Sequence, residues 1–89
     1  MTERTLKISN RLGLHARAAA RFVHLANSFK SRILVHKGNA RVDGKSILGL
    51  LTLAAAKGTS LGLSADGDDE VAALDALEVL VRDRFGEEA

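Results

Sequence analysis

Cysteine and proline are both absent from these 89 residues, and so are tyrosine and tryptophan. Without cysteine there is no disulfide, no thiol nucleophile and no thiolate metal site. Three phenylalanines are the whole aromatic complement, too few stacking platforms for a binder of single-stranded nucleic acid. No apolar run approaches the roughly 18 residues of a membrane-spanning helix. Met1-Thr2-Glu3-Arg4 lacks the charged-then-apolar layout of a signal peptide. The expectation is a cytoplasmic protein with no membrane insertion.

What is present fits one soluble domain over residues 1–89. Hydrophobic residues make up 46% and charged residues 27%, so the chain can bury a single thin core, roughly 60–65% of its unfolded surface. The net charge of +2 is unevenly placed. Most cations precede Ser46, whereas Asp66, Asp68, Asp69, Glu70, Glu87 and Glu88 are acidic. A basic half steers toward an acidic protein surface. The cations form no dense cluster, so nucleic acid is not an expected partner.

Periodicity orders the elements. Thr5-Leu6-Lys7-Ile8 alternates as a half-buried strand. Ala19, Phe22, Val23 and Ala26 recur at helical spacing over residues 16–27, with Arg17, Arg21, His24 and Ser28 on the opposite face. Residues 32–36 and 40–42 read as strands joined by Lys37-Gly38-Asn39. Ser46 is placed to cap a short helix over 47–53. Leu61 and Leu63 alternate in a fourth strand. A last helix spans 69–84, with Val71, Leu74, Leu77 and Val81 inward and Gly86 as its stop. The order β-α-β-β-α-β-α predicts an α+β fold: a two-layer open-faced sandwich of four mostly antiparallel strands, with three helices on one face.

The chemistry concentrates in Asn10-Arg-Leu-Gly-Leu-His-Ala-Arg-Ala-Ala19, a glycine turn that delivers His15 to a helix start. The first turn of a helix leaves N–H groups unpaired and carries partial positive charge, which suits a phosphate. Arg17 adds a planar, permanently charged fork. Imidazole titrates near neutrality, so its nucleophilic form is available there. A histidine nucleophile beside these donors points to a phosphoryl group accepted on His15. His24 and His36 lack such neighbours and read as surface residues. They sit on different elements, and a three-histidine metal site is not expected. Gly38 to Lys45-Ser46 imitates a P-loop, but five residues separate its glycines where the motif needs four. It also spans a strand, so nucleotide binding is rejected.

Gly13-Leu14-His15-Ala16-Arg17 resembles the active-site motif of the HPr family, the histidine phosphocarriers of the bacterial phosphotransferase system. Gly44-Lys45-Ser46-Ile47-Leu48-Gly49-Leu50 resembles that family's regulatory-serine segment, and the likeness covers essentially the whole chain. One position departs, Ala18, where the family usually has proline. The resemblance implies strand order 1-4-2-3, phosphorylation of His15 at Nδ1, stabilisation by Arg17, and a regulatory phosphosite at Ser46 for a serine kinase/phosphorylase. It implies a phosphoryl-transfer intermediate rather than a stand-alone enzyme, with no cofactor. Its partners would be enzyme I as donor and an enzyme II A-domain as acceptor, in either the sugar-transport or the nitrogen-related branch. A monomer is expected.

Ile47, Leu48, Leu50, Leu51 and Leu53 exceed what a two-turn helix can bury on one face, so part of them should form an exposed docking patch. The resemblance adds the His15 helix to that face, making Ile47, Leu48 and Leu51, with Arg17, Ala20 and His24, the docking candidates. A second reading keeps the docking face and Ser46 but not the relay: a regulatory protein-binding module. His15 and Arg17 together favour the phosphocarrier.

Overall fold

Alternating side chains build a four-stranded sheet, and three helices cover one side of it. The computed structural model describes all 89 residues. Its elements are β1 (Thr2–Lys7), α1 (Ala16–Ala26), β2 (Arg32–Lys37), β3 (Ala40–Asp43), α2 (Ile47–Thr52), β4 (Ser60–Asp66) and α3 (Glu70–Arg82), closed by a tight left-handed turn at Arg84–Gly86. The sheet order is β1-β4-β2-β3. Every pair is antiparallel, so the expected open-faced sandwich holds and its sheet is wholly antiparallel.

Register follows the period-2 pattern. Leu6 faces Leu61 and Arg4 faces Leu63 across β1 and β4, while Val35 faces Leu63 and Ile33 faces Ala65 across β2 and β4. These inward residues of β2 and β4 are buried with Phe22, Leu50, Leu74, Leu77 and Phe85 in one core of 20 residues. Each fully buried Leu or Phe contributes about 1.5–3 kcal/mol. The outer face carries Glu3, Thr5, Lys7, Arg32 and Ser60, all exposed except where side chains lie flat on the sheet. His36 does so: it is half-buried, its ring occupying the space a Cβ on Gly62 would take.

Two boundaries and one inward position differ most from the sequence reading. β1 starts at Thr2, three residues earlier, with polar Arg4 at an inward position. Its guanidinium reaches Asp75 at 2.6 Å and Glu78 at 3.1 Å on α3, which lets a cation sit between sheet and helix. α3 ends at Arg82 rather than at 84. Val71, expected inward, is 54% exposed. The buried stripe runs through Ala73, Leu74, Leu77 and Val81, and at 3.6 residues per turn Val71 stands roughly 100° from its centre. The missing core volume comes from Phe85, beyond the helix and 1% exposed.

Asp69 was expected to begin the last helix, and it does occupy the N-cap, yet its side chain does not cap α3. Its carboxylate instead accepts from the backbone N–H of Lys30 at 2.8 Å and of Ser31 at 2.9 Å, and from the Ser31 hydroxyl. One side chain thereby ties the α1–β2 connection to the start of α3. The Ser31 hydroxyl and the Lys30 N–H hold the Asp69 carboxyl below its ordinary range. A lowered native value stabilises the fold above the unfolded-state value, near pH 4, and that contribution fades as pH falls through the native value. Asp69→Asn is therefore expected to lower the urea midpoint at neutral pH and to flatten its fall below about pH 4. Unfolding curves across that range test both effects.

Candidate functional site

The turn before α1 is shaped by one glycine. Gly13 has φ +68°, and a Cβ there would stand 2.5 Å from the Ala55 carbonyl oxygen and 2.9 Å from Ala56 Cα. The Gly13 N–H donates to Asn10 O at 3.2 Å, and the Leu14 N–H to Ala55 O at 2.8 Å. Leu14 is buried beneath. The turn is thus pressed against the connection between α2 and β4, and His15 emerges at its end as the N-cap of α1.

His15 makes no side-chain capping bond. Its backbone is extended (φ −83°, ψ 179°), and its carbonyl accepts the first helical bond from Ala19 N at 2.8 Å. The N–H groups of Ala16, Arg17 and Ala18 precede that bond and are the unpaired donors of the first turn. Ala18, where the family pattern has proline, is fully buried. The His15 side chain is 25% exposed, with a cleft of about 200 Å³ on one flank, lined by Leu12, Leu14 and the Ala54 to Ala56 backbone turn.

Arg17 is exposed and joins two clefts. One, about 390 Å³, it shares with Arg11, Leu12 and the C-terminal Glu87 to Ala89. The other, about 550 Å³, it shares with Ala20, Arg21, His24, Leu25 and Leu80. The structure therefore brings Arg17, Ala20 and His24 to one groove along α1. Ile47 and Leu48 are exposed on α2 at 41% and 77%. Leu51 is only half exposed and packs against the core, as Leu50 and Leu53 do more completely. Ser46 caps α2, its Oγ accepting the Gly49 N–H at 3.0 Å. No three side chains among His, Asp and Glu are grouped to hold a metal ion.

Sequence reasoning missed three residues at the histidine. Asn10 is fully buried, and its Nδ2 donates to Gly13 O at 2.7 Å and to Glu87 Oε1 at 2.9 Å. Glu87 Oε2 in turn is bonded to His15 Nε2. Arg21 donates to the Phe85 carbonyl and fixes the turn that carries Glu87. The Asn10 bond, with His15 and Arg17 nearby, keeps the Glu87 carboxyl below its ordinary range. The available signal was Phe85 itself, a lone apolar residue after the last helix that marks an anchor rather than a fraying end.

Comparison with known proteins returns one family. The family described as "PTS HPr component phosphorylation site" matches residues 2–83. The chain is 51% identical over 87 residues to phosphocarrier protein HPr of Neisseria meningitidis serogroup A, covering 98% of each. It superposes on the crystal structure of HPr-C-His from Thermoanaerobacter tengcongensis with TM-score 0.96, at 48% identity and full coverage of both chains. An HPr dimer from the same organism matches at TM-score 0.79 and 48% identity, covering 98% of this chain and all of that one.

Gly13→Ala is expected to cost about 1–3 kcal/mol, because the new Cβ meets backbone rather than a flexible side chain. Denaturant unfolding measures it. Amide shifts should concentrate at residues 10–16 and 54–57.

Proposed function

The chain belongs to the PTS HPr family, and we propose on that footing that His15 accepts a phosphoryl group at Nδ1 from enzyme I and passes it to an enzyme II A-domain. The observation that carries the reading is the state of the histidine. Nε2 is engaged by Glu87, Nδ1 has no hydrogen-bond partner in the chain, and the ring stands where helix N–H groups are unpaired. The nucleophile's lone pair thus belongs to the residue that begins the helix, whose first-turn N–H groups are the donors for an incoming anion.

Arg17 supplies charge to the transferring phosphoryl group, where a guanidinium fork matches two oxygens at once. The phosphorylated ring is an imidazolium, from which neutral imidazole departs readily, so the P–N bond retains the transfer potential a carrier needs. Partners dock on the helical side through Arg17, Ala20, His24, Ile47, Leu48 and the edge of Leu51. Exposed Leu48 is the apolar anchor of that set. No helix is long and apolar enough to cross a membrane.

Incubation with enzyme I and phosphoenolpyruvate is expected to add one acid-labile phosphate, and His15→Ala to abolish it. Label retained in that variant would move the acceptor to another residue.

Ser46 is the regulatory phosphosite in this reading. Its hydroxyl already accepts the Gly49 N–H, and exposed Ile47 and Leu48 follow it directly. A phosphate there adds close to two negative charges beside an apolar docking surface. Desolvating that charge opposes association, and an acidic partner repels it. Ser46→Asp is expected to raise the half-saturating concentration of phosphoryl arrival several-fold while the maximal rate and the circular dichroism spectrum hold. An unchanged half-saturating concentration with a collapsed maximal rate would instead place the damage at the histidine.

A further inference from the structure

The C-terminal turn is an unusual way to end a helix. After α3, Arg84 and Phe85 both have φ +55° and Gly86 has φ +80°. Left-handed backbone at two residues with side chains costs about 1–3 kcal/mol each. Three contacts hold it: Phe85 is 1% exposed in the core, Arg21 donates to the Phe85 carbonyl, and the Glu87 N–H donates to Arg84 O at 2.9 Å. The result is to fold the last residues back over the start of α1. The Glu87 side chain ends there at only 14% exposure.

The bonds at that point have a fixed polarity. Both partners of Asn10 Nδ2, Gly13 O and Glu87 Oε1, are acceptors. The Asn10 amide is therefore oriented without ambiguity, with both its hydrogens in use. Its Oδ1 is buried with no partner in the chain, an arrangement costing about 1–3 kcal/mol. The fold tolerates that orphan while the nitrogen points at Glu87. An ionised carboxylate only accepts, so the hydrogen between Glu87 Oε2 and His15 belongs to Nε2. The neutral ring then has its lone pair on Nδ1.

We propose that Glu87, aimed by Asn10, is the positioning residue of His15: it holds the ring with its proton on Nε2, presents Nδ1 to the phosphoryl group, and faces the positive charge the ring acquires. This rests on the relay reading above. In the step itself, the Nδ1 lone pair forms the new P–N bond. The donor's bond to phosphorus breaks, and its electron pair stays with the donor. No proton leaves His15, so the ring becomes an imidazolium whose Nε2–H already lies on a carboxylate. The arrangement follows the logic by which a buried carboxylate orients a catalytic histidine. The low Glu87 pKa, caused first by the Asn10 bond, keeps that carboxylate charged at neutral pH.

Glu87→Gln and Glu87→Asp distinguish this role from a merely structural one. The first keeps the shape without the charge; the second keeps the charge one methylene short. With nitrogen-15 in the imidazole, the native protein is expected to show a protected Nε2 proton at low field. Glu87→Gln should lose that protection and Glu87→Asp should recover part of it. In phosphoryl transfer from enzyme I, Glu87→Gln is expected to lower the maximal rate about 10–100-fold, the range seen when the hydrogen-bond partner of a metal-bound histidine is removed. The half-saturating concentration should stay unchanged, and Glu87→Asp should restore part of the rate.

If the native protein takes no phosphate, the relay reading falls. If it takes phosphate and Glu87→Gln matches it in rate, only the positioning role is overturned. A faster Glu87→Gln would also overturn it, identifying Glu87 as an anion that competes with phosphate. A change confined to the half-saturating concentration would overturn it in favour of partner contact.

Discussion

The backbone contact between the 10–14 turn and the 54–56 turn is what the histidine depends on. Two segments with no regular structure meet there through Leu14 N and Ala55 O at 2.8 Å, and the meeting is possible because residue 13 has no side chain. Everything that defines the His15 environment is referenced to that contact. It sets where α1 begins, which residue is the N-cap, and where the first-turn donors point. The buried face of α1 (Ala18, Ala19, Phe22, Val23 and Ala26) then fixes the direction of the helix leading away from it. Packing sets the axis and the glycine turn sets the origin.

Carboxylates do much of the long-range fastening. Asp69 binds the α1–β2 connection, Glu70 binds the Thr2 hydroxyl and the N-terminal ammonium, and Glu78 with Asp75 receives Arg4. Hydrogen bonding holds Asp69, Glu70 and Glu87 below the ordinary carboxylate range. A domain with a thin core thus places acidic groups where donors from distant segments converge. Most of these carboxylates lie on or beside α3, the element that joins the termini to the sheet.

The central elements were legible because their patterns are periodic and their ends are punctuated. α1 shows an apolar stripe between a glycine turn and Asn27, and Ser46 signals α2 three residues before the Gly49 N–H it accepts. The motif residues His15 and Arg17 were legible as local spacing. Strand β1 was half hidden because Arg4 sits inward, which only its partners on α3 make tolerable. Val71 misled because hydropathy cannot tell a stripe's centre from its flank. Asn10 and Glu87 are 77 positions apart. Their meeting depends on a left-handed turn at Phe85, and no periodic signal encodes that.

The single unpartnered ring nitrogen of His15 also constrains timing. A specific partner usually covers about 800 Å² of a surface, roughly a sixth of the 5100 Å² this molecule exposes. Two footprints centred on His15 cannot coexist, so under the proposed relay donor and acceptor must take turns. Each must then leave before the other can arrive, and throughput is bounded by dissociation. Tight binding to either would stall the cycle. A broad, shallow groove with a few exposed apolar side chains suits that demand better than a deep pocket would: it favours brief encounters, and speed at this site depends on weakness.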